Sequence, residues 1–216
     1  MEKEPIKLTL DTDEVLDAFN LERNIGCATL DKWLSASYVL TELEETILSE
    51  KRERLTIEGE FWNEEELKMH FLAAIFDMIR FDEKSKVKLF YERPLRGVIN
   101  GYSFHVICDV MVATPKGVSS PKKPYFFLQE FKKQKGKEQD GEAQMLAAML
   151  VAQYENQNSF PIYGCYLQGR NWIFTTLHDK NYCVSSQFDA TKKDDLYQII
   201  YALKHLKIMI LKQLEG

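Results

Sequence analysis

The chain has 216 residues, which is the length of one ordinary domain. Its 45% hydrophobic and 28% charged residues are typical of a folded globular protein and exclude a disordered or collagen-like chain. The longest apolar run, residues 145–152, is far shorter than the roughly 20 residues that span a bilayer, and the charged start does not resemble a signal peptide. We therefore expect a cytoplasmic protein with no membrane partner.

The net charge of −5 is divided unevenly along the chain. Residues 1–80 hold 19 acidic and 9 basic side chains, whereas residues 81–216 hold 14 acidic and 19 basic ones. This asymmetry predicts an acidic face and a more basic working face.

The cysteines give no sign of a metal site. Cys27, Cys108, Cys165 and Cys183 lie far apart, without a C-x-x-C pair or a histidine at zinc-finger spacing. Three of them stand in apolar, strand-like runs, where a free thiol behaves as a small hydrophobic group. We expect free thiols and no zinc.

The first sixty residues are predicted to form a helical N-terminal extension, and residues 61–216 the main domain. A helix is expected from residue 11 or 12 to residue 19, a second from residue 29 or 31, and a third across residues 40–55. Asn63 is a good N-cap for a stronger helix that ends near Ile79. Glu64 falls near the centre of the apolar arc of this helix, which fits either a functional acid or a first-turn acid that favours the helix dipole.

Strand patterns follow this helix. We predict strands at 86–92, 103–113, 124–132, 161–168, 171–178 and 181–186, with a turn at Gly169-Arg170. A helix at 138–154 separates the third strand from the fourth, and a helix at 193–214 closes the chain. This order predicts an α/β domain with a mixed sheet flanked by helices. The last helix has enough apolar residues for a homodimer contact or for packing on the sheet.

Three residues in the central strands carry the chemistry. Asp109 lies in an apolar run, and Glu130 and Lys132 end another, pointing the same way from their strand. If Ala113 pairs with Phe126 across a hairpin, Asp109 stands opposite Glu130, with Lys132 diagonal to it. Adjacent carboxylates repel each other and favour a hard divalent cation, and a nearby lysine can stabilise a phosphate oxygen. A buried ion-pair network is the alternative.

These residues resemble the PD-(D/E)XK superfamily of restriction-endonuclease-like nucleases, and in particular the N-terminal nuclease domain of type I restriction enzymes and small bacterial proteins. In that family, an acid on the second core strand and an E-x-K on the third form the site, which Asp109, Glu130 and Lys132 match. A glutamate near the start of the first core helix is matched by Glu64. A glutamine on the helix after the E-x-K strand is matched by Gln144. The resemblance covers residues 63–178, and Cys108 stands where a proline often precedes the first acid.

The resemblance implies a restriction-endonuclease-like fold and Mg²⁺-dependent hydrolysis of nucleic acid, with DNA as the expected substrate and Mn²⁺ as a substitute metal. The two strand acids would bind the metal with the backbone carbonyl of Phe131. Lys132 would orient the attacking water or stabilise the phosphate charge. Glu64, or one of the two glutamates that follow it, would complete the metal shell, and Gln144 would position Lys132 or the nucleotide.

Five basic residues are expected to contact nucleic acid around this site: Lys122, Lys123, Lys133, Lys135 and Arg170. A solvated loop at 114–124 is the alternative for the first two. The chain has no P-loop and therefore no translocating motor of its own. The alternative function is a catalytically silent nuclease-fold protein that binds nucleic acid, or a protein partner through residues 1–60.

Overall fold

The computed structural model describes residues 5–7, 11–132, 140–157 and 159–215. The helices are α1 (Thr12–Phe19), α2 (Ala28–Leu34), α3 (Glu42–Glu58), α4 (Glu64–Leu67), α5 (Ala73–Ile79), α6 (Gly141–Asn156) and α7 (Lys193–Glu215). A π-helical turn (Lys68–Leu72) joins α4 to α5. The strands are β1 (Ile6–Lys7), β2 (Glu22–Ile25), β3 (Lys88–Ile99), β4 (Tyr102–Lys116), β5 (Ser120–Lys132), β6 (Ile162–Gln168), β7 (Asn171–His178), β8 (Asn181–Val184) and β9 (Phe188–Asp189).

One mixed sheet forms the centre of the fold, so the predicted α/β class is confirmed. The strand order is β1-β4-β5-β6-β7-β8-β2, with β3 on β4 and β9 on β7. Strands β3, β4 and β5 form an antiparallel meander, and α6 then crosses over so that β6 pairs parallel to β5. Strands β6, β7 and β8 are again antiparallel, which makes the sheet mixed.

Helices cover the sheet on two sides. In β5, Phe127 belongs to one hydrophobic cluster and its neighbour Leu128 to the other, as alternation across a strand requires. One cluster includes side chains of α1 and α6, and the other includes side chains of α2, α3, α5 and α7. Helix α7 therefore packs within the core. Among the described residues, no helix is both long and apolar enough to cross a membrane.

Residues 1–60 are not purely helical. The expected helices exist as α1, α2 and α3, but β1 pairs with β4 and β2 pairs with β8, both in parallel. All residues of β2 are exposed, so this strand has no alternating pattern that sequence could reveal. Trp33 of α2 is completely buried, and its indole N–H donates to the carbonyl of Ala202 on α7 at 2.8 Å. The segment therefore contributes to the same core as the rest of the chain.

The expectation of four free thiols is wrong for two of them. Cys27 and Cys183 form a disulfide with their Cα atoms 6.2 Å apart, whereas Cys108 and Cys165 are free and buried. The two partners are 156 residues apart in sequence, and the pairing of β2 with β8 brings Cys183 close to the segment that follows β2. Burial raises the pKa of both free thiols, so they behave as the small hydrophobic groups expected.

Candidate functional site

The register between β4 and β5 places the two central acids beside each other. Three pairs follow the predicted register: Val110–Gln129, Met111–Leu128 and Val112–Phe127. The starting pair was wrong, because a register shift after Val112 pairs Ala113 with Tyr125 instead of Phe126. Asp109 directly precedes Val110 in β4 and Glu130 directly follows Gln129 in β5, so both acids stand at the end of this ladder.

Asp109 is tied to both neighbouring elements. Its Oδ2 accepts a hydrogen bond from the backbone N–H of Phe131 at 2.8 Å, between Glu130 and Lys132 in sequence. Its Oδ1 accepts from the ammonium of Lys68 at 3.0 Å. The carboxylate therefore holds β4 to β5 where their ladder of paired residues ends, and it faces the E-x-K segment as predicted.

Glu130 and Lys132 form a close ion pair. The ammonium of Lys132 donates to Oε1 of Glu130 at 2.7 Å, and only 7% of the Glu130 side chain is exposed. Burial raises the pKa of Glu130 to about 7, and the negative charges of Asp109 and Glu64 add to this shift, whereas Lys132 opposes it. The pair therefore lies in a region with excess negative charge.

The helix before the sheet brings two of its three consecutive glutamates to the cluster. Asn63 is the N-cap, and its side chain accepts from the N–H of Glu66, whose carboxylate accepts from the N–H of Asn63 in return. Glu65 is exposed and contacts Lys68 at 3.3 Å. Glu64 is partly buried, and its charge acts on the buried carboxylate of β5. Of the three alternatives, Glu64 is the one whose charge acts on Glu130, whereas Glu65 reaches the cluster through Lys68.

Lys68 was missed by the sequence analysis. Its ammonium donates to Asp109 and, at 2.8 Å, to Glu92 of β3, and it lies 5.6 Å from the centroid of the Phe131 ring. Burial lowers the pKa of Lys68, but the hydrogen bonds to Glu92 and Asp109 outweigh burial and raise it overall. The available signal was its spacing, because a residue four positions after Glu64 shares its helix face.

The start of α6 lies against Lys132. Asp140 caps the helix by accepting from the N–H of Ala143 at 3.0 Å. A β-carbon at Gly141 would lie 3.1 Å from Cγ of Lys132, so glycine gives the lysine stem room to pass the helix. Gln144 lies in the first turn of α6 and is partly buried, which places it on the expected element.

The two lysines at the start of β5 do not flank the site. Segment 114–124 was expected to be a loop beside it, but most of it extends β4 and β5 as a hairpin. Lys123 therefore lies seven residues before Glu130 along the strand, roughly 23 Å away at the rise of an extended chain. Its ammonium is 3.8 Å from Glu155. That Lys122 and Lys123 contact nucleic acid stays a prediction, and any such contact would lie far from Asp109 and Glu130.

Arg170 lies nearer to the acids. The N–H of the residue before it donates to the carbonyl of Lys132 at 2.8 Å, so the turn between β6 and β7 adjoins the end of β5. The guanidinium of Arg170 faces the carboxylate of Asp189, with Nε 3.5 Å from Oδ2. Lys133 and Lys135, the remaining predicted contacts, lie outside the described residues.

The carboxylate oxygens of the cluster are typical ligands of a hard cation, but lysine ammonium groups are bound to them. Within the described ranges, no group of three or more His, Cys, Asp or Glu side chains could hold a metal ion in this arrangement. Five carboxylates and two ammonium groups of the described residues make up the cluster: Glu64, Glu65, Glu92, Asp109, Glu130, Lys68 and Lys132. Carboxylate oxygens are the ligand type that hard divalent cations prefer, and in this arrangement ammonium groups contact them.

No protein-family model matches the chain, and no curated protein matches its sequence. The geometry of this acidic cluster is therefore the basis for assigning a function.

Proposed function

We propose that this protein is a metal-dependent nuclease that hydrolyses phosphodiester bonds of nucleic acid, with DNA as its substrate. The observation that carries the proposal is the convergence of the acids and the lysine at one place. Asp109 is hydrogen-bonded to the chain between Glu130 and Lys132, and Glu130 and Lys132 are in direct contact. A buried acid pair with a lysine beside it is costly unless it binds a cation or forms an ion-pair network.

The order of these residues along the fold supports a restriction-endonuclease-like architecture. Glu64 begins the helix that precedes the β3–β4–β5 meander, and Asp109 lies on its second strand. Glu130 and Lys132 end the third strand, and Gln144 lies on the helix that follows. This is the arrangement that the PD-(D/E)XK resemblance implies for an acid-acid-lysine site.

The residues have distinct roles in this proposal. When bound, Mg²⁺ supplies Lewis-acid stabilisation and lowers the pKa of a bound water. Asp109 and Glu130 provide carboxylate oxygens, and the partly buried Glu64 adds negative charge on the helix side. Lys132 donates a hydrogen bond from its ammonium to the attacking water or to a phosphate oxygen, where negative charge develops. Gln144 holds the lysine or the nucleotide from the first turn of α6.

The test combines metal binding with cleavage. Calorimetric titration with Mn²⁺ should show binding to the parent and none to Asp109→Asn. Lys132→Met should retain binding but lose cleavage of plasmid DNA by about 100-fold or more. Lys86→Met, which removes the same charge from a lysine that pairs with Glu215 outside the cluster, is the matched control and should cleave normally. If Asp109→Asn is folded and cleaves DNA as well as the parent does, the proposal is refuted.

One observation favours the alternative of a catalytically silent binding protein. Both acids already pair with a lysine, Asp109 with Lys68 and Glu130 with Lys132, as in a structural ion-pair network. Such a protein would bind nucleic acid in EDTA and leave it uncut with every divalent metal. If the protein instead binds a protein partner, charge-removing substitutions in the acidic segment 1–60 are the first to test.

The proposed location is the cytoplasm. The disulfide between Cys27 and Cys183 is the observation against it, because reducing compartments keep most thiols free. Free thiols should be counted in protein extracted under acid quench, which preserves the redox state in the cell. Four free thiols would support the cytoplasm, and two would support an oxidising compartment.

A further inference from the structure

Lys68 has an unusual environment for a helix lysine. Its ammonium lies 2.8 Å from Glu92, 3.0 Å from Asp109 and 3.3 Å from Glu65, and 19% of its side chain is exposed. One face of the Phe131 ring is also within cation–π distance. Asp109 is the mostly buried partner, with 13% of its side chain exposed, whereas Glu65 and Glu92 reach the ammonium from the surface, so three carboxylates surround one positive charge.

The backbone is irregular at Lys68 and at Glu92, the two residues that this ion pair joins. Lys68 is the first residue of the π-helical turn, a form that is rare within helices and is often found at functional sites. Glu92 has φ of 51°, a left-handed conformation that is unfavourable for a residue other than glycine. Both irregularities lie at residues whose side chains meet on the same ion cluster.

Asp109 cannot hold Lys68 and a metal on the same oxygen. Its Oδ2 already accepts from the N–H of Phe131, and its Oδ1 accepts from Lys68. A divalent cation at Oδ1 would meet the ammonium at close range, where two positive charges repel strongly. The lysine must therefore leave Oδ1 before the metal binds there.

We propose that Lys68 is a resident counter-ion of the candidate metal site, which holds the place of a divalent cation at Asp109 and is displaced when the metal binds. This inference rests on the proposed function, because it assumes that Asp109 is a metal ligand. The contact with Glu92 gives the displaced ammonium a second carboxylate on β3. Lys68 thereby sets the metal concentration at which the site fills, and it is a positioning residue with no step in the chemistry.

The test is calorimetric titration with Mn²⁺. Lys68→Met removes the competing charge and should tighten binding by about tenfold. Lys68→Arg keeps the charge and should bind as weakly as the parent or more weakly. Lys86→Met is the matched control, since Lys86 pairs with Glu215 outside the cluster, and it should leave the affinity unchanged.

A second measurement does not depend on variants folding. Acetic anhydride labels exposed amines, and mass spectrometry should show that saturating Mn²⁺ increases labelling of Lys68 in the parent, while labelling of Lys86 stays constant. Metal binding to the parent with equal or weaker binding to Lys68→Met, or without a change in Lys68 labelling, would overturn the inference and leave the metal site intact. Absence of binding in both the parent and Lys68→Met would overturn the metal site itself, and this inference with it.

Discussion

Replacing Glu130 by glutamine should make the protein more stable at alkaline pH. Glu130 has a pKa of about 7 in the fold, compared with 4.5 for an ordinary glutamate, and burial is the largest cause. Between these two values, the folded protein retains a proton that the unfolded chain has released. The free energy of unfolding therefore falls as pH rises from about 4.5 to about 7.

The size of this effect follows from the difference in pKa. A shift of this extent corresponds to about 3 kcal/mol between the charged and neutral carboxyl above pH 7. The pKa of about 7 already includes the attraction between Glu130 and Lys132, which lowers the pKa and so opposes the effect of burial. Glu130→Gln removes the charge and keeps an oxygen that can accept from Lys132. Its advantage over the parent should reach about 3 kcal/mol near pH 8 and nearly vanish at about pH 4.5.

Urea unfolding measures this directly. The parent and Glu130→Gln should be compared by circular dichroism across this pH range, with EDTA present so that no divalent metal offsets the charge. Glu53→Gln, at an exposed position of α3, controls for the change in net charge. A difference between the parent and Glu130→Gln that is constant with pH, or that favours the parent as pH rises, would refute the reasoning about the buried carboxylate.

Three further changes test the fold. Asn63→Ala removes the cap of α4 and should cost about 1 kcal/mol in thermal unfolding, whereas Asn63→Asp should retain the cap and most of the stability. Trp33→Ala empties a fully buried site between α2 and α7 and should cost about 3–5 kcal/mol in urea, with a smaller loss for Trp33→Phe; equal losses would contradict the packing. Thiol titration of the unfolded, unreduced protein should find only the two free cysteines, and reduction of the Cys27–Cys183 bond should lower stability by about 2–4 kcal/mol; four reactive thiols would contradict the bond.

Local patterns in the sequence were sufficient for most elements, and they singled out the three residues at the centre of the candidate site. The cap at Asn63 was predicted correctly, and so was the turn between β6 and β7. Asp109, Glu130 and Lys132 stood out because ionisable residues in apolar strands are costly without partners. Alternation along β5 placed Glu130 and Lys132 on one face. The register came from an assumed pairing of Ala113 with Phe126, which is wrong, although three pairs of β4 and β5 follow it.

Other features depended on contacts between distant segments. The register shift after Val112, the edge strand β2 and the bond between Cys27 and Cys183 have no local signal, since backbone pairing across the sheet creates them. The distance of Lys123 from Glu130 also followed from hairpin length, which charge density along the sequence does not encode.

Lys68 shows the difference most clearly. The sequence places it one helical turn after Glu64, and this spacing indicates a shared face without naming a partner. Its contacts reach Glu92 and Asp109, which lie 24 and 41 residues further along the chain on two strands of the sheet. The sequence by itself therefore determined which acids and which lysine are costly to bury. Only the tertiary structure decided that a second lysine neutralises one of these acids, because that choice depends on distances across the fold.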